Sequence, residues 1–216
     1  MRVLMDGERE KRKDFLVPAD EIVAWHDRFV VKWHKEKIDL AGDGFLRRVL
    51  ENHACNFHLW HIEDEARRKD VDDAYIAEQK RKIDYWNQKR NDEIERIDEW
   101  IVSLWPWVIE NEDLPMNSET PGSIIDRLSI ASLKIFHMRQ ETEREDVEEG
   151  HIVECRSKLE ILQQQRSDLE IALAELFEDL RERRKRMRIY RQFKMYNDPR
   201  FNPALYRKQK GVILPI

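Results

Sequence analysis

The chain has 216 residues, 41% of them apolar and 38% charged, with seven tryptophans. That much apolar and aromatic content excludes a disordered chain, and no apolar run is long enough to span a bilayer. The formal charge of −5 conceals a split: residues 181–216 carry twelve Lys and Arg against Glu182 and Asp198, a net of +10, so the first 180 residues carry −15. A segment this basic can pair with the acidic body, with a partner or with a polyanion.

Only six glycines and seven prolines punctuate the chain, which predicts long helices and few turns. The opening MRVLMDGEREKRKD lacks the apolar stretch of a secretory signal. Cys55 and Cys155 stand alone in helical patterns without metal-like spacing, as buried reduced thiols of a cytoplasmic protein would. Pro18 and the capping candidate Asp20 open a first helix, with Ile22, Trp25, Phe29 and Trp33 at helical spacing. LAGDGF (40–45) breaks it. A second helix is predicted over about 45–69 and a third over about 73–105. The long break WPWVIENEDLPMNSETPGS follows, and Thr120 before Pro121 reads as an N-cap with proline at the first helical position. The fourth helix is SIIDRLSIASLKIFHM. A fifth starts near His151, with Ile152, Leu159, Leu162, Leu169, Leu173 and Leu176 as its seam, and is expected to run through the basic stretch to Tyr196. No strand-like alternation appears. The expectation is an all-α antiparallel bundle of about five helices, residues 1–196 forming one domain and 197–216 a basic tail.

Polar residues interrupt the apolar stripes. On the second helix Asn52, Asn56, Trp60, Glu63 and Arg67 share a face, with His53, His61 and Asp64 beside them. On the third, Asn87, Asn91 and Asp98 alternate with Ile83, Ile94 and Ile101, and Arg90 and Glu95 lie at the edge. On the fourth, Ser123, Asp126, Arg127, Ser129 and Lys134 flank a core stripe of Ile124, Leu128, Ala131, Ile135 and Met138. Burying charge without a partner is costly. These groups therefore either satisfy one another as a network that fixes helix register, or converge on a ligand cleft between helices. In the cleft reading Glu63, Asp64, Glu95, Asp98 and Asp126 are oxygen ligands for Mg²⁺ or Mn²⁺, with Glu63, Asp64 and Asp126 also catalytic candidates. The segment Thr120, Gly122 and Ser123 offers backbone N–H groups at a helix start. Arg67, Arg90, Arg127 and Lys134 neutralise an anion, and Asn56, His61, Asn87 and Asn91 orient ligand or water. Acids for a metal and cations for an anion together point to a phosphorylated small molecule. His58 and His61, three apart, are a weak metal pair.

The blocks NHACNFHLWHIEDEARR, NQKRNDEIERID, MNSETPGSIIDRLSIASLKIFHM and YRQFKMYNDP resemble those of the bacterial domain of unknown function 4254 family, over about residues 20–206. The resemblance implies a bacterial helical protein. Through members that occur with glycosyltransferases, it also implies a setting in surface polysaccharide or nucleotide-sugar metabolism. The chain is also similar, by analogy, to the all-α nucleoside triphosphate pyrophosphatases, which bind Mg²⁺ through a Glu-x-x-Glu pair and a Glu-x-x-Asp pair on successive helices. Glu95 and Asp98 match the second pair. The first is absent, since Glu63 and Asp64 are adjacent and Ala66 follows three after Glu63.

The leading expectation is a phosphoryl- or nucleotide-handling hydrolase or transferase. Its competitor is a non-catalytic scaffold, in which the polar interior sets register and the long fifth helix pairs with a partner or a second copy. Nucleic-acid binding through RERRKRMRIYRQFKMY ranks last, because a charge run on a helix is usually a solvated face and the body is acidic.

Overall fold

A computed structural model describes residues 17–40, 42–193, 195 and 198–206. It contains α1 (Ala19–Trp33), α2 (Gly44–Glu65), α3 (Asp73–Leu104), the single turn α4 (Trp107–Glu110), α5 (Pro121–Thr142), α6 (Glu149–Arg181) and the single turn α7 (Pro203–Tyr206). Five long helices carry the fold, as the periodicity predicts, and no strand forms among the described residues.

Local chemistry accounts for the boundaries. In α1 the residues at 19, 22, 23, 26, 29, 30 and 33 are buried, the spacing of one helical face. Asp20 and Glu21 sit in its first turn, where they favour the positive end of the helix dipole. The cap position is Pro18 rather than Asp20, because Ala19 already has helical geometry. Gly42 and Gly44 both have positive φ, 92° and 56°, a conformation that side chains resist; the pair turns the chain into α2. Asp72 caps α3 by accepting from the Tyr75 N–H, and Thr120 caps α5 by accepting from the Ser123 N–H with Pro121 in the first turn, as expected.

Helix α5 is central. Eleven of its 22 residues are buried, nearly all the way round its first four turns, and it packs against α1, α2, α3 and α6. Directions follow from matched contacts. His26 and His34 of α1 meet His53 and His61 of α2, and Asn52 and Trp60 of α2 meet Asp126 and His137 of α5. These three helices therefore run the same way. Helices α3 and α6 run against them: Arg90 and Asp98 of α3 face Asp126 and Gly122, while His151 reaches Glu141 and Arg166 bonds Asp27 at 2.7 Å. The short connections give the α2–α3 and α5–α6 antiparallel hairpins. The main core gathers Ile22, Val49, Ile97, Ile101, Ile125, Leu128, Leu173 and Leu180. A second core, around Phe29, Trp33, Leu50, Phe57 and Leu133, fills the other end of α1.

The structure corrects the expected length of the fifth helix. Helix α6 stops at Arg181 and does not continue toward Tyr196. Arg183 has φ 56°. The Arg184 N–H bonds the Asp179 carbonyl and the Arg183 N–H that of Leu180, the paired bonds of a Schellman end. Glycine usually fills that left-handed position. Here the Arg183 guanidinium lies 4.6 Å from the Trp107 ring centre, and the Trp107 Nε1–H donates to the Leu180 carbonyl. Continuing the helix would stack Arg181, Arg184, Lys185 and Arg188 one turn apart, where like charges repel. The chain instead lies along the 108–117 link, with Met187 N–H on Val108 O, Arg186 N–H on Pro115 O and Asn117 N–H on Arg186 O. Tyr196 and Asn197, where the expected domain ends and the tail begins, lie outside the described residues, as do 207–216 and the first 16 residues.

Gly122 sets how closely α3 approaches α5. A Cβ there would lie 2.5 Å from the Ile94 carbonyl oxygen and 2.8 Å from Asp98 Oδ1, whereas one on Gly150 would meet nothing within 4 Å. Gly122→Ala is expected to destabilise the fold by about 1–3 kcal/mol, the usual cost of overpacking. Gly150→Ala should be neutral or stabilising by at most about 1 kcal/mol. Urea denaturation of both variants measures the contrast, and equal effects would remove the packing argument.

Candidate functional site

A polar seam runs between α2 and α5. Asp126, buried, accepts at Oδ1 from Asn52 Nδ2 at 2.9 Å and Asn56 Nδ2 at 2.8 Å. Asn56 also reaches Ser129 Oγ at 3.0 Å, and that hydroxyl lies 2.8 Å from His53 Nδ1. The His53 ring continues into α1, 4.7 Å from His26 and 5.1 Å from Trp33. Burial pushes the His53 pKa down to about 3. Burial, then His53 and Arg166, hold His26 well below the usual histidine range. Both rings are therefore neutral at pH 7.

Above this seam a cleft of about 330 Å³ opens between α2, α3 and α5. Helix α2 contributes Asn56, Leu59, Trp60, Glu63, Asp64 and Arg67, helix α3 Asn87 and Arg90, and helix α5 Ile130 and Leu133. Six sequence-derived candidates, Asn56, Glu63, Asp64, Arg67, Asn87 and Arg90, thus line one concavity. The α2 contributors recur at three- and four-residue steps, which is why one helix supplies so much of the wall. Glu63 and Arg67 pair at 2.5 Å. Arg90 differs from them. Its Nε is buried without a hydrogen-bond partner, and the nearest carboxylate oxygen in an ion pair, Asp126 Oδ1, is 3.9 Å away. That separation is too long for a hydrogen bond.

The other candidates lie elsewhere. Asp98 does not share an ion with Glu95. It is buried against the start of α5, where its Oδ1 accepts from the Gly122 N–H at 2.7 Å. Burial pushes its carboxyl up to about 7, against the pull of the Thr120 hydroxyl and the Gly122 N–H toward the charged form. Glu95 points the other way and takes Arg191 at 2.7 Å and the Gln192 N–H at 2.8 Å. The five acids therefore do not form one metal centre. The start of α5 does not offer its N–H groups to an outside anion either, since Gly122 gives its own to Asp98 and Ser123 gives its own to Thr120. Arg127 is exposed and pairs with Glu119 at 2.6 Å. Asn91 is half-buried on α3 and is not among the residues lining the cleft. Lys134 lines a separate groove against α6, and His61 faces His34 and His137. His58 stacks on Trp86 at 4.0 Å. Cys55 and Cys155 are buried free thiols, and burial pushes Cys55 up to about 12.

Sequence reasoning missed the cleft floor, Leu59, Ile130 and Leu133, and it missed the meeting of His34 and His137 with His61. The floor residues carried only the ordinary core signal. The histidines sit on three helices, 27 and 76 positions apart, and no local pattern joins them. The described basic stretch turns onto the body: Arg184 and Lys185 pair with Asp179, and Arg191 bridges Glu95 and Glu99.

A family model described as a protein of unknown function (DUF4254) matches residues 46–189, the span that contains the cleft and its seam. No curated protein and no solved structure matches the chain.

The buried groups set opposite pH trends. His26 and His53 have folded pKa values below the unfolded value near 6.5, so the unfolded chain binds protons that the folded chain refuses, and stability falls as pH drops below about 6.5. Asp98 has a folded value above its unfolded value near 3.9. The folded chain therefore holds a proton that the unfolded chain has lost, and the Asp98 contribution declines as pH rises from about 4 through 7. Wild type should lose stability on acidification. Asp98→Asn should gain on wild type as pH rises across that window, then level off above it, by up to about 4 kcal/mol for three pKa units. Urea denaturation of both proteins from pH 4 to 8 measures the difference. A difference that does not change with pH would refute the buried protonated carboxyl.

Proposed function

The chain belongs to the DUF4254 family, and from the chemistry of its cleft we propose that the protein binds a phosphorylated small molecule between α2, α3 and α5. The single observation that carries this reading is Arg90, whose buried Nε has no hydrogen-bond partner in the folded chain and only a distant carboxylate, Asp126 at 3.9 Å. A guanidinium is an always-charged fork suited to phosphate oxygens, and an unused buried donor is costly unless something fills it. Arg67 adds a second cation at the cleft and Asn87 adds an amide. Trp60 and the Leu59, Ile130 and Leu133 floor supply apolar surface for a sugar or base. A cleft with an apolar floor and a few convergent polar groups is the usual form of a small-molecule site.

Among the acids, Glu63 and Asp64 line this cleft. Mg²⁺ or Mn²⁺ is commonly held by one or two carboxylates together with substrate phosphates and water, so these two residues are the ones that would hold it. The ion would screen phosphate charge, which is the chemistry a hydrolase or transferase needs. Nucleotides, nucleotide sugars and sugar phosphates share this chemistry.

A second reading has its own observation. Asn52, Asn56, Asp126, Ser129 and His53 satisfy one another inside the protein, as a network that only fixes helix register would. The two readings separate on Arg90. Thermal unfolding is to be followed with nucleotides, nucleotide sugars and sugar phosphates, with Mg²⁺ present and absent, and with unphosphorylated counterparts as controls. A ligand at 100 times its Kd should stabilise wild type by about 2.7 kcal/mol. Arg90→Ala should weaken binding about tenfold or more, since a charge-assisted hydrogen bond contributes about 1.5–3 kcal/mol. If no phosphorylated compound shifts wild type, or if each shifts Arg90→Ala equally, the register reading stands in its place.

A further inference from the structure

Three histidines from three helices meet beside Trp60, which stacks on one of them and also lines the proposed ligand cleft. His34 caps the C-terminus of α1, His61 lies on α2 and His137 on α5. One ring nitrogen from each lies within 4.8 Å of the others, and no other group of three or more His, Cys, Asp or Glu among the described residues comes together in this way. The rings sit edge to face, His34 to His61 at 5.1 Å, His34 to His137 at 5.0 Å and His61 to His137 at 5.8 Å between centres.

The hydrogen bonds fix which nitrogens are free. His34 Nδ1 lies 2.7 Å from the Val30 carbonyl oxygen. A carbonyl only accepts, so Nδ1 carries the proton and Nε2 carries the lone pair. That Nε2 is buried with no partner, and so is His137 Nε2. Two buried ring nitrogens from different helices of the cluster thus have no hydrogen-bond partner in the protein. A metal-bound histidine typically gives its other N–H to a backbone carbonyl or a carboxylate, and His34 already has that arrangement with Val30. Phe136 stacks on His34 at 4.3 Å, Trp60 lies on His137 at 4.7 Å and nearly parallel, and Phe57 packs on both His34 and His61. These aromatic walls hold the rings in orientation and keep competing water away from their faces.

We propose that His34, His61 and His137 form a binding site for a divalent transition-metal ion of the Zn²⁺ class, with its fourth position open. Imidazole nitrogens select Zn²⁺, Co²⁺, Ni²⁺ or Cu²⁺ and give Mg²⁺ little. Three histidines at a tetrahedral ion leave one place for water or an anion. Zn–N bonds of about 2.0–2.1 Å put ligand nitrogens roughly 3.3 Å apart, so the rings draw in by at most about 1.5 Å on binding. His137 also lines a groove of about 580 Å³ between α5 and α6, together with Trp60, Lys134, Glu141, Lys158 and Gln165, so the cluster borders that groove through this one ring. Lys134 lies at its edge, while Lys158 pairs with Glu154 at 2.5 Å. This site shares only Trp60 with the proposed ligand cleft, so it stands or falls separately from the proposed function.

The test is metal binding by the whole chain after removal of metal with a chelator. Co²⁺ serves as the probe because a tetrahedral site gives it an intense visible absorption band. Wild type should take up about one equivalent of Co²⁺ with that band, Zn²⁺ should displace it, and both should raise the thermal midpoint where Mg²⁺ does not. His61→Gln and His137→Gln should each lose the band and weaken Zn²⁺ binding beyond the roughly 10–100-fold typical of supporting residues. His58→Gln, whose ring stacks on Trp86 outside the cluster, should bind as wild type does. His61 is only half-buried, so its variant serves if His137→Gln does not fold. Absence of a Co²⁺ band in wild type, or a band that survives in His61→Gln, would overturn the proposal.

Discussion

The close approach of α3 to the first turn of α5 is the constraint on which the rest of the bundle depends. Gly122 leaves room for the Ile94 carbonyl, and Asp98 closes the gap by accepting the Gly122 N–H. An α-helix rises about 1.5 Å per residue, so fixing Asp98 against Gly122 also fixes what lies roughly 12 Å further along α3. From there the long Arg90 side chain reaches to within 3.9 Å of Asp126, and Asn87 lines the cleft. A slip of one turn between these helices would separate the α3 half of the cleft from the α2 half. The carboxylate that the helix start receives is therefore the protein's own, spent on alignment.

The α2–α5 contact is pinned by different chemistry. Asp126 holds two asparagine amides, and Ser129 joins one of them to His53. Hydrogen bonds of this kind contribute about 1 kcal/mol each, but leaving one of these groups unpaired costs more. The network therefore penalises every other register more than it rewards this one. Arg90 Nε stays 3.9 Å from the same Asp126 oxygen that holds the asparagines and has no hydrogen-bonding partner. The seam and the candidate ligand donor are two parts of one arrangement.

The basic segment after Arg181 has an equally local cause. The Arg183 side chain on Trp107 offsets the cost of a left-handed residue, and the chain then turns back onto an acidic surface. Arg184, Lys185 and Arg191 find Asp179, Glu95 and Glu99. The split between a −15 body and a +10 end is in part an intramolecular complementarity. Exposed pairs of this sort contribute little one by one, so their role is to choose where the segment lies.

Periodicity determined the five long helices and the candidate face Asn56–Trp60–Glu63–Arg67, and capping chemistry the Thr120–Pro121 start of α5. Each is a matter of spacing within one helix, where geometry repeats every 3.6 residues. The sequence could not divide Glu95 from Asp98. They lie three apart on α3, a spacing that reads as one side, yet one meets Arg191 and the other Gly122, partners 96 and 24 positions away. Nor could it end α6 at Arg181, since the stop depends on Trp107, more than seventy residues earlier. The histidine cluster is the clearest case. His34, His61 and His137 are unremarkable where they stand in the chain, and only the common direction of α1, α2 and α5 brings their nitrogens together. Spacing along one helix is set by covalent geometry, but which faces meet is set by the packing of all five helices at once, and that information is not local.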